Sequence, residues 1–396
     1  RVNHQSNELA PQLDAAFQDL FAWCRQRDFA GYDPFDALNS RLFQATPLAR
    51  SRTARLFWTQ ALKRSPVNLR PLLGVPQQRN PKGIALFALA ALANYRRRQT
   101  TDAELEARYL LDALIEMRIR GLSGAAWGYN FDWQSRNFFA PCGTPTIVPT
   151  AFAARALIEG ARIFADQNYL QLASSACDFI LHDLPVTEDE DAAVCFSYTP
   201  QSDTRIFNAS LLAAETLAGV ADLAREPPLC GWAERATRYI VKHQLANGSW
   251  TYGAGANQSW IDNFHTAFVL YSLARIVRAC KLNEYEVALQ RGYQFWRERF
   301  FLADGWPKYY DDTPYPADVH AAASAIVTLL EFRESDPSAL GLAEQLALWA
   351  IKHLRDRGGF FYYQRRRFFT VRIPFMRWSE GWMLYSLGRL LEAKGA

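Results

Sequence analysis

The feature that most constrains the fold of this chain is a repeat of apolar helical segments. The clearest of them begin near Thr150, Asn208, His265, His320 and Glu380, at intervals of 55 to 60 residues. An earlier segment from Gly83 fits the series, 67 residues before the first of these. Each segment is apolar on nearly all sides, which is typical of a helix buried on every face. Self-similarity at a near-constant spacing indicates a repeat architecture.

Helices of a second kind alternate with these segments. Residues 283–300, for example, place Tyr285, Leu289, Tyr293 and Trp296 on one side, with charged residues elsewhere. A one-sided apolar stripe belongs on a helix at the surface of a protein. Six alternations of inner and outer helices predict an all-α fold, a closed (α/α)6 toroid.

The rest of the chain fits the same prediction. We expect a single domain over residues 1–396, because no linker or charge block divides the sequence. Residues 1–63 are predicted to form an N-terminal helical lead-in that includes the missing outer helix. Short β-hairpins are expected in residues 248–253, 306–311 and 358–364, which are rich in aromatic residues.

Polar and aromatic loops precede the inner helices. These loops cover residues 127–146, 195–208, 248–265, 305–320 and 358–380. Because all inner helices of such a ring run in the same direction, their N-terminal ends and the preceding loops meet at one mouth. The sequence therefore predicts one shared cavity lined by these loops.

The loops carry the residues expected to bind a ligand. The candidate substrate-binding residues are Trp127, Tyr129, Trp133, Arg136, Tyr198, Arg205, Trp250, Trp260, Trp306, Tyr310, Arg377 and Trp378. Aromatic rings suit the apolar faces of sugars. Arginines and converging helix N-termini favour an anion. An acidic sugar, or a glycan containing one, fits both features, although any single tryptophan here is more often a packing residue.

Titratable residues in the same loops suggest the chemistry. The candidate catalytic residues are His265, His320, Asp262, Asp318, Asp132, Glu380 and Tyr252. The two histidines hold equivalent positions in consecutive repeats and could act as opposed bases, as an epimerase or a lyase needs. The aspartates before them could orient the rings or cap the helices. Paired carboxylates would instead serve a glycoside hydrolase, and Tyr252 could protonate a leaving oxygen.

Composition and motifs exclude several classes of protein. The net charge of +4 is small and the arginine runs 96–98 and 365–367 are short, so no nucleic-acid partner is expected. No apolar stretch reaches the roughly 18 to 20 residues of a membrane span. The chain has no phosphate-binding loop, dinucleotide fingerprint or G-x-S-x-G elbow. His, Asp and Cys are too dispersed to argue for a metal, and we expect neither metal nor cofactor.

Cysteine usage bears on the compartment. The six cysteines form no C-x-x-C pair and no spacing typical of a disulfide framework. Cys177 and Cys280 lie in helical patterns, where they are interpreted as small buried apolar residues. We therefore expect a reducing, cytoplasmic setting.

Four segments resemble a known family. Residues 127–146, 195–200, 257–270 and 374–387 are similar to bacterial VpsJ-type polysaccharide biosynthesis proteins, and the architecture resembles the six-hairpin glycosidase superfamily. The resemblance implies a role in making or processing an exopolysaccharide or surface glycan. It also implies polysaccharide-assembly proteins as candidate partners, but it assigns no catalytic residues.

Two other function classes share features with the sequence. Terpenoid cyclases and prenyltransferases are also helical toroids with turns like Asn247–Trp250, but the chain has only "YDDTPY" where those enzymes carry an aspartate-rich motif. A polar, arginine-bearing mouth also argues against a hydrocarbon substrate. A non-catalytic glycan-binding scaffold would keep the aromatic residues but would not need His265 or His320.

Overall fold

The computed structural model describes residues 2–135 and 138–395, and within them the chain is mainly helical. The helices are α1 (Val2–Arg25), α2 (Arg41–Gln44), α3 (Arg52–Arg64), α4 (Pro81–Arg98), α5 (Thr101–Glu116), α6 (Ile147–Phe164), α7 (Gln167–His182), α8 (Phe207–Ala224), α9 (Pro227–Lys242), α10 (Asn263–Cys280), α11 (Glu286–Arg299), α12 (Val319–Glu331), α13 (Ala339–Leu354) and α14 (Trp382–Ala393). A π-helical segment, Met376–Gly381, leads directly into α14.

Six helices form a closed inner ring. Each packs against the next in the order α4, α6, α8, α10, α12 and α14, and α14 returns to α4. The outer helices α5, α7, α9, α11 and α13 each pack on the inner helix that precedes them in the chain. Helix α1 packs on α14 and supplies the sixth outer position. The predicted (α/α)6 toroid is confirmed, and the N-terminal segment contributes the missing outer helix.

Burial follows the two sequence patterns. In α4 every residue from Pro81 to Asn94 is buried, whereas α9 buries only a stripe that includes Leu229, Ala233 and Ile240. One hydrophobic cluster extends from Leu9 to Leu391. The single-domain organisation stays a prediction, which this continuous core supports.

The repeats share a tight connection between inner and outer helix. Helices α4, α6, α8 and α10 have 18 residues each. Each ends at a residue with left-handed backbone: Gln99, Ala165, Arg225 and Lys281. A single left-handed residue closes the last helical turn and reverses the chain. In these four repeats, equal lengths and a shared left-handed end residue place the inner-helix N-termini at the same end of the ring.

Short strands lie in the loops between the helices. They are β1 (Trp133–Gln134), β2 (Phe139–Ala140), β3 (Val186–Glu188), β4 (Val194–Phe196), β5 (Ala317–Asp318), β6 (Gln364–Arg365) and β7 (Thr370–Val371). The pairs β1–β2 and β3–β4 are antiparallel hairpins, and β5–β6–β7 form a three-stranded sheet. The hairpin prediction was wrong for residues 248–253 and 306–311, which make only isolated bridges. Residues 358–364 reach a strand only at Gln364.

One cysteine interpretation was wrong. Cys280 forms a disulfide with Cys230 and so ties α10 to α9, whereas Cys177 is a free, buried thiol as expected. Disulfides persist mainly in oxidising compartments. The cytoplasmic setting stays a prediction, and this disulfide argues against it. Among the described residues, no helix is long and apolar enough to cross a membrane.

Candidate active site

A cavity of about 1060 Å³ opens at the N-terminal end of the inner ring. Helices α4, α6, α8, α10 and α12 contribute to its wall near their N-terminal ends, and the π-helical segment before α14 supplies the sixth part. Their lining residues are Lys82, Val148, Asn208, Phe264, His265, Phe268, His320, Arg377 and Trp378. Helix α3 supplies a further side of the wall through Thr53, Leu56, Phe57, Gln60 and Lys63. The predicted shared cavity therefore exists, and part of the N-terminal lead-in encloses it.

His265 is held by the carboxylate of Asp262. The Asp262 Oδ2 atom lies 2.6 Å from His265 Nδ1, while its Oδ1 accepts from the backbone N–H of His265 at the start of α10. Trp260 Nε1 donates to the same Oδ2 atom over 3.1 Å. With Nδ1 as the donor to this carboxylate, Nε2 is the ring nitrogen that can take up or release a proton. His265 is partly exposed and lines the cavity, so this nitrogen is available to a ligand.

His320 has a different environment. Its ring is stacked on Phe264 with centroids 4.7 Å apart, and it meets the edge of Trp378 at 4.3 Å. Neither ring nitrogen has a hydrogen-bond partner in the described part of the chain, although the residue is only 1% exposed. Burial lowers the pKa of His320 well below its usual value, and the Arg377 guanidinium adds to this effect. A neutral, unpartnered imidazole therefore lies in the cavity wall.

Asp318 does not orient the His320 ring. It accepts from the backbone N–H of His320, as an N-cap, and its other bonds come from Gln364 Nε2 and Trp378 Nε1. Burial raises the pKa of Asp318 to about 6, although these hydrogen bonds and Lys63 act in the opposite direction. The carboxyl group is absent from the cavity lining. Asp318 thus positions Trp378 and Gln364 rather than an imidazole.

Lys82 is a cavity residue that the sequence analysis missed. It follows the N-cap Asn80 by two residues, is 2% exposed, and has no ion pair or hydrogen bond to its ammonium among the described residues. Its Nζ lies 4.4 Å from the ring centre of Phe152 and 5.2 Å from that of Phe268. A single lysine at the start of an otherwise apolar helix was the signal that could have identified it.

The protonation of Lys82 depends on two opposing free energies, the stabilisation of its ammonium by aromatic rings and the cost of removing it from water. Aromatic faces stabilise an ammonium by about 0.5 to 2 kcal/mol. Removing an ion from water costs several kcal/mol, and the partial positive charge of a helix N-terminus adds to that cost. Burial lowers the pKa of Lys82 far below its usual range, with Arg377 as the next largest cause. These surroundings favour the neutral amine over the ammonium more strongly than water does.

Lys63 is a second cation that the sequence analysis did not select. Its Nζ lies 4.2 Å from the ring centre of Phe35 and 5.7 Å from that of Trp378. Burial lowers the pKa of Lys63 to about 8, and the carboxylates of Asp318 and Asp33 oppose this change. Lys63 therefore remains mostly charged at neutral pH.

Arg377 lies in the cavity wall, but its guanidinium already has a carboxylate partner. Its Nε and Nη2 atoms donate to the two oxygens of Asp33 over 2.6 and 2.8 Å, and both residues are buried. The guanidinium also lies 5.2 Å from the ring centre of Tyr129. The sequence predicted a free arginine for the substrate, whereas the structure shows a buried ion pair that fixes the π-helical segment to the N-terminal lead-in.

Aromatic residues form most of the remaining wall. Tyr252 and Trp260 are stacked with centroids 4.3 Å apart, and Tyr252 also meets the edge of His265 at 4.6 Å. The hydroxyl groups of Tyr129 and Tyr198 lie 3.3 Å apart. Trp133, Tyr310 and Trp378 complete the predicted aromatic residues that line the cavity.

Several predicted binding residues lie elsewhere. Trp127 Nε1 donates to the carbonyl of Leu114, and Trp250 Nε1 donates to that of Ile240. Both tryptophans are buried, and in each case the carbonyl belongs to the last turns of the preceding outer helix. They are equivalent packing residues of two repeats.

Trp306 and Arg205 are also absent from the cavity lining. Trp306 Nε1 donates to the carbonyl of Pro314, and its ring packs on Trp349 of α13. Arg205 is exposed. Arg136 lies outside the described residues. Of the predicted arginines that the structure describes, Arg205 and Arg377 therefore do not form a common binding surface.

The two remaining carboxylates also lie away from the cavity. Asp132 Oδ1 accepts from the backbone N–H of Cys142 and so joins the chain before β1 to the chain after β2. Glu380 is fully buried and accepts from the backbone N–H of Phe361. Burial raises the pKa of Glu380 well above its usual value. Asp262 is the only carboxylate among the described lining residues.

The ring and its cavity define a fold class, the (α/α)6 toroid. Solved structures with this fold include cellobiose 2-epimerase from Bacillus thermoamylovorans B4167, with a TM-score of 0.61 and 14% identity over 80% of this chain and 90% of that chain. The unsaturated glucuronyl hydrolase of Bacillus sp. GL1 has a TM-score of 0.62 and 13% sequence identity over 96% of each chain. A GH76 α-mannanase from Bacteroides thetaiotaomicron has a TM-score of 0.62 and 12% sequence identity over 81% of this chain and 88% of that chain.

At these identities the likeness establishes the fold alone, although the neighbours are carbohydrate-active enzymes. Neither a protein-family profile nor a curated protein sequence matches this chain. The resemblance to VpsJ-type proteins therefore stays a prediction.

Proposed function

We propose that this protein is a sugar-converting enzyme that moves a proton at a carbon next to a carbonyl group, as an epimerase or isomerase does. The observation that carries the proposal is the pair of imidazoles in one aromatic cavity. His265 is fixed by Asp262, and His320 is neutral with both ring nitrogens unpartnered in the described structure. A neutral imidazole can accept a proton, and a carboxylate-bound imidazole is stabilised when it carries one.

The division of roles follows from these two environments. His320 is the base, because its surroundings disfavour a positive charge. His265 is the acid that returns a proton, because the Asp262 carboxylate stabilises the protonated ring. Tyr252 lies beside His265, and burial raises its pKa, so its hydroxyl stays protonated and serves as a donor to a sugar oxygen.

The lining favours this chemistry over glycoside hydrolysis. A hydrolase of the usual kind needs two carboxylates about 5 to 9.5 Å apart across the bond. Among the described lining residues, Asp262 is the only carboxylate, and it is already bound to His265 and Trp260. Polar residues in the wall also disfavour a hydrocarbon substrate, as terpenoid cyclases would need. A scaffold without catalysis would have no use for an unpartnered buried histidine.

We further propose that the substrate is an acidic sugar, held by different residues from those first selected. The cations Lys63, Arg64 and Arg366 line the cavity, and the N-terminal ends of five inner helices converge on it. Helix N-termini and cations both favour an anion. The aromatic wall supplies faces for the sugar ring. A place in polysaccharide biosynthesis, with assembly proteins as partners, is part of this proposal and rests on the sequence resemblance alone.

A substrate panel with histidine variants tests the proposal. Free uronic acids, neutral aldoses and acidic oligosaccharides are incubated with the protein, and new epimers, isomers or unsaturated products are identified by NMR. His265→Gln and His320→Gln should each reduce turnover by about 10² to 10⁴-fold. The matched control is His182→Gln, since His182 is exposed on α7. Undiminished turnover in both cavity variants would refute the roles given to the two rings.

The acidic-sugar part has its own test. Lys63→Gln and Arg366→Gln should weaken binding of a uronic acid by about 10 to 100-fold each if each cation makes one charge-assisted bond. Binding of the corresponding neutral sugar should change little. Equal affinity of the wild-type protein for both sugars would show that the cavity does not recognise the acid group.

A further inference from the structure

The surroundings of Lys82 set it apart from every other lysine described in this chain. Its side chain is 2% exposed, yet it lines the cavity, and its ammonium has no anionic partner among the described residues. Lysines of structural importance are normally paired when they are buried. The amine instead faces the rings of Phe152, Phe268 and Trp382, at 4.4, 5.2 and 5.5 Å from their centres.

Lys82 also shares its surroundings with His320. The His320 ring lies 5.7 Å from that of Phe268 and 4.8 Å from that of Trp382, so the two residues contact the same two aromatic side chains. The charged groups that act on Lys82 are Arg377, Asp33 and Arg155, and the first and last of them disfavour its protonation. A helix N-terminus disfavours it as well. A nucleophilic amine and a general base are therefore placed in one chamber.

We propose that Lys82 is a nucleophile that forms an imine with the aldehyde of an open-chain sugar. This inference rests on the proposed function and specifies it: the substrate is a sugar with a free reducing end, and the proton is moved at C2. A free uronic acid meets both requirements, since it carries an aldehyde at C1 and a carboxylate at the other end. A desolvated lysine in an apolar pocket is an established way to activate an amine.

The step balances without any other reagent. The Nζ lone pair attacks C1, and the carbonyl electron pair moves to oxygen. One proton from the amine and one from solvent convert that oxygen to water, which leaves to give a protonated imine. His320 then removes the proton on C2, and the electron pair of the C–H bond forms an enamine. Protonated His265 returns a proton to C2 from the other side. Water hydrolyses the protonated imine, which releases the epimer and one proton to solvent and restores the amine of Lys82. His320 finally loses its proton to solvent, and His265 takes one up.

The most direct test traps the imine. The full-length protein is incubated with glycolaldehyde at neutral pH, reduced with sodium cyanoborohydride, digested and mapped by mass spectrometry. Lys82 should be labelled at least about tenfold faster than exposed Lys281, because a larger fraction of its amine is unprotonated. Labelling of Lys82 no faster than Lys281 would overturn the proposal, and this result does not depend on any variant folding.

The substitution Lys82→Arg tests whether Lys82 acts as a nucleophile or as a cation. Lys82→Arg places a permanent positive charge at this position but cannot form an imine, so it should reduce turnover by at least about 100-fold, while Lys281→Arg should have no effect. If Lys82→Arg keeps its rate, the residue is not a nucleophile.

If glycolaldehyde labels Lys82 but no sugar is converted by the wild-type protein, the proposed function fails and the reactive amine stands. If histidine-dependent turnover occurs without a Lys82 adduct, the proposed function stands and this inference fails.

Discussion

Asp262 and Asp318 cap two successive inner helices at equivalent positions, yet only Asp262 reaches the imidazole that follows it. Asp262 Oδ2 lies 2.6 Å from His265 Nδ1. Asp318 instead accepts from Trp378 and Gln364, and His320 is left without a partner for either ring nitrogen in the described structure. The repeat thus produces two histidines with opposite electrostatic surroundings, as acid and base roles require.

Asp262→Asn should reduce turnover without unfolding the protein. Asn is about as good an N-cap as Asp, so the start of α10 should remain stable. The neutral amide cannot stabilise a protonated His265, and turnover should fall by about 10² to 10⁴-fold. Steady-state kinetics and thermal unfolding measure the two effects, with exposed Asp203→Asn as the control. A variant of normal rate would show that the carboxylate only caps the helix.

Asp318→Asn should change how stability depends on pH. The folded-state pKa of about 6 lies above the unfolded value of 3.8, so folding is favoured by protonation and stability is lost as pH rises between these values. Relative to the variant, the free energy of unfolding of the wild-type protein should fall by about 2 kcal/mol from about pH 4.5 to about pH 6. Denaturant titrations at several pH values measure this. If the free energy of unfolding changed with pH in the same way in both proteins, the raised pKa of Asp318 would be contradicted.

Arg377→Ala should destabilise the fold. It would leave Asp33 buried without its partner, and breaking a buried ion pair in this way costs about 3 to 5 kcal/mol. Chemical denaturation measures the loss, and Asp33→Asn combined with Arg377→Gln should lose less than the sum of the single changes. A stable Arg377→Ala variant that loses only affinity for the acidic sugar would instead support the role predicted from the sequence.

Two tryptophans of one loop should respond differently to truncation. Trp250 is 2% exposed and bonded to Ile240, so Trp250→Ala should lower the free energy of unfolding by about 3 to 5 kcal/mol. Trp260 lines the cavity on Tyr252, so Trp260→Ala should mainly weaken sugar binding. Unfolding curves and ligand titrations on both variants decide the matter. If Trp260→Ala destabilised the fold and Trp250→Ala mainly weakened sugar binding, Trp260 would be the packing residue and Trp250 the binding residue.

The disulfide can be tested by counting thiols. Of the six cysteines, Cys230 and Cys280 are bonded and the other four are free, so denatured protein should expose four thiols without reductant and six with it. Because the bond closes a segment of 50 residues, replacing both cysteines by serine should cost about 2 to 4 kcal/mol of stability. Six thiols in unreduced protein would show that the disulfide is absent, and the argument against a reducing compartment would then fail.

The ring was predictable because its signal is strong and local. An inner helix must be apolar on every side, so its sequence is distinctive, and its recurrence at intervals of 55 to 60 residues marks the repeats. The same regularity placed His265 and His320 at the mouth. Aromatic loop residues were harder to assign, because Trp250 and Trp260 lie in the same loop and only the folded backbone decides which ring points into the cavity.

The remaining errors concern contacts between distant segments. Arg377 pairs with Asp33, 344 residues away in sequence, and no local pattern contains that information. Helix α3 completes the cavity wall for the same reason, although it was expected only as part of a lead-in. Lys82 could have been noticed, since a charged residue within a wholly buried helical segment always needs an explanation.

Isotope exchange tests the central claim most directly. The protein is incubated in D2O with the sugar panel, and each product is analysed by ¹H NMR and mass spectrometry. If two imidazoles move a proton at carbon, the product should carry solvent deuterium at the carbon next to the carbonyl, and the exchange should be lost in His265→Gln and His320→Gln. Conversion of a sugar with no carbon-bound deuterium in the product, or with exchange that survives both substitutions, would contradict the account.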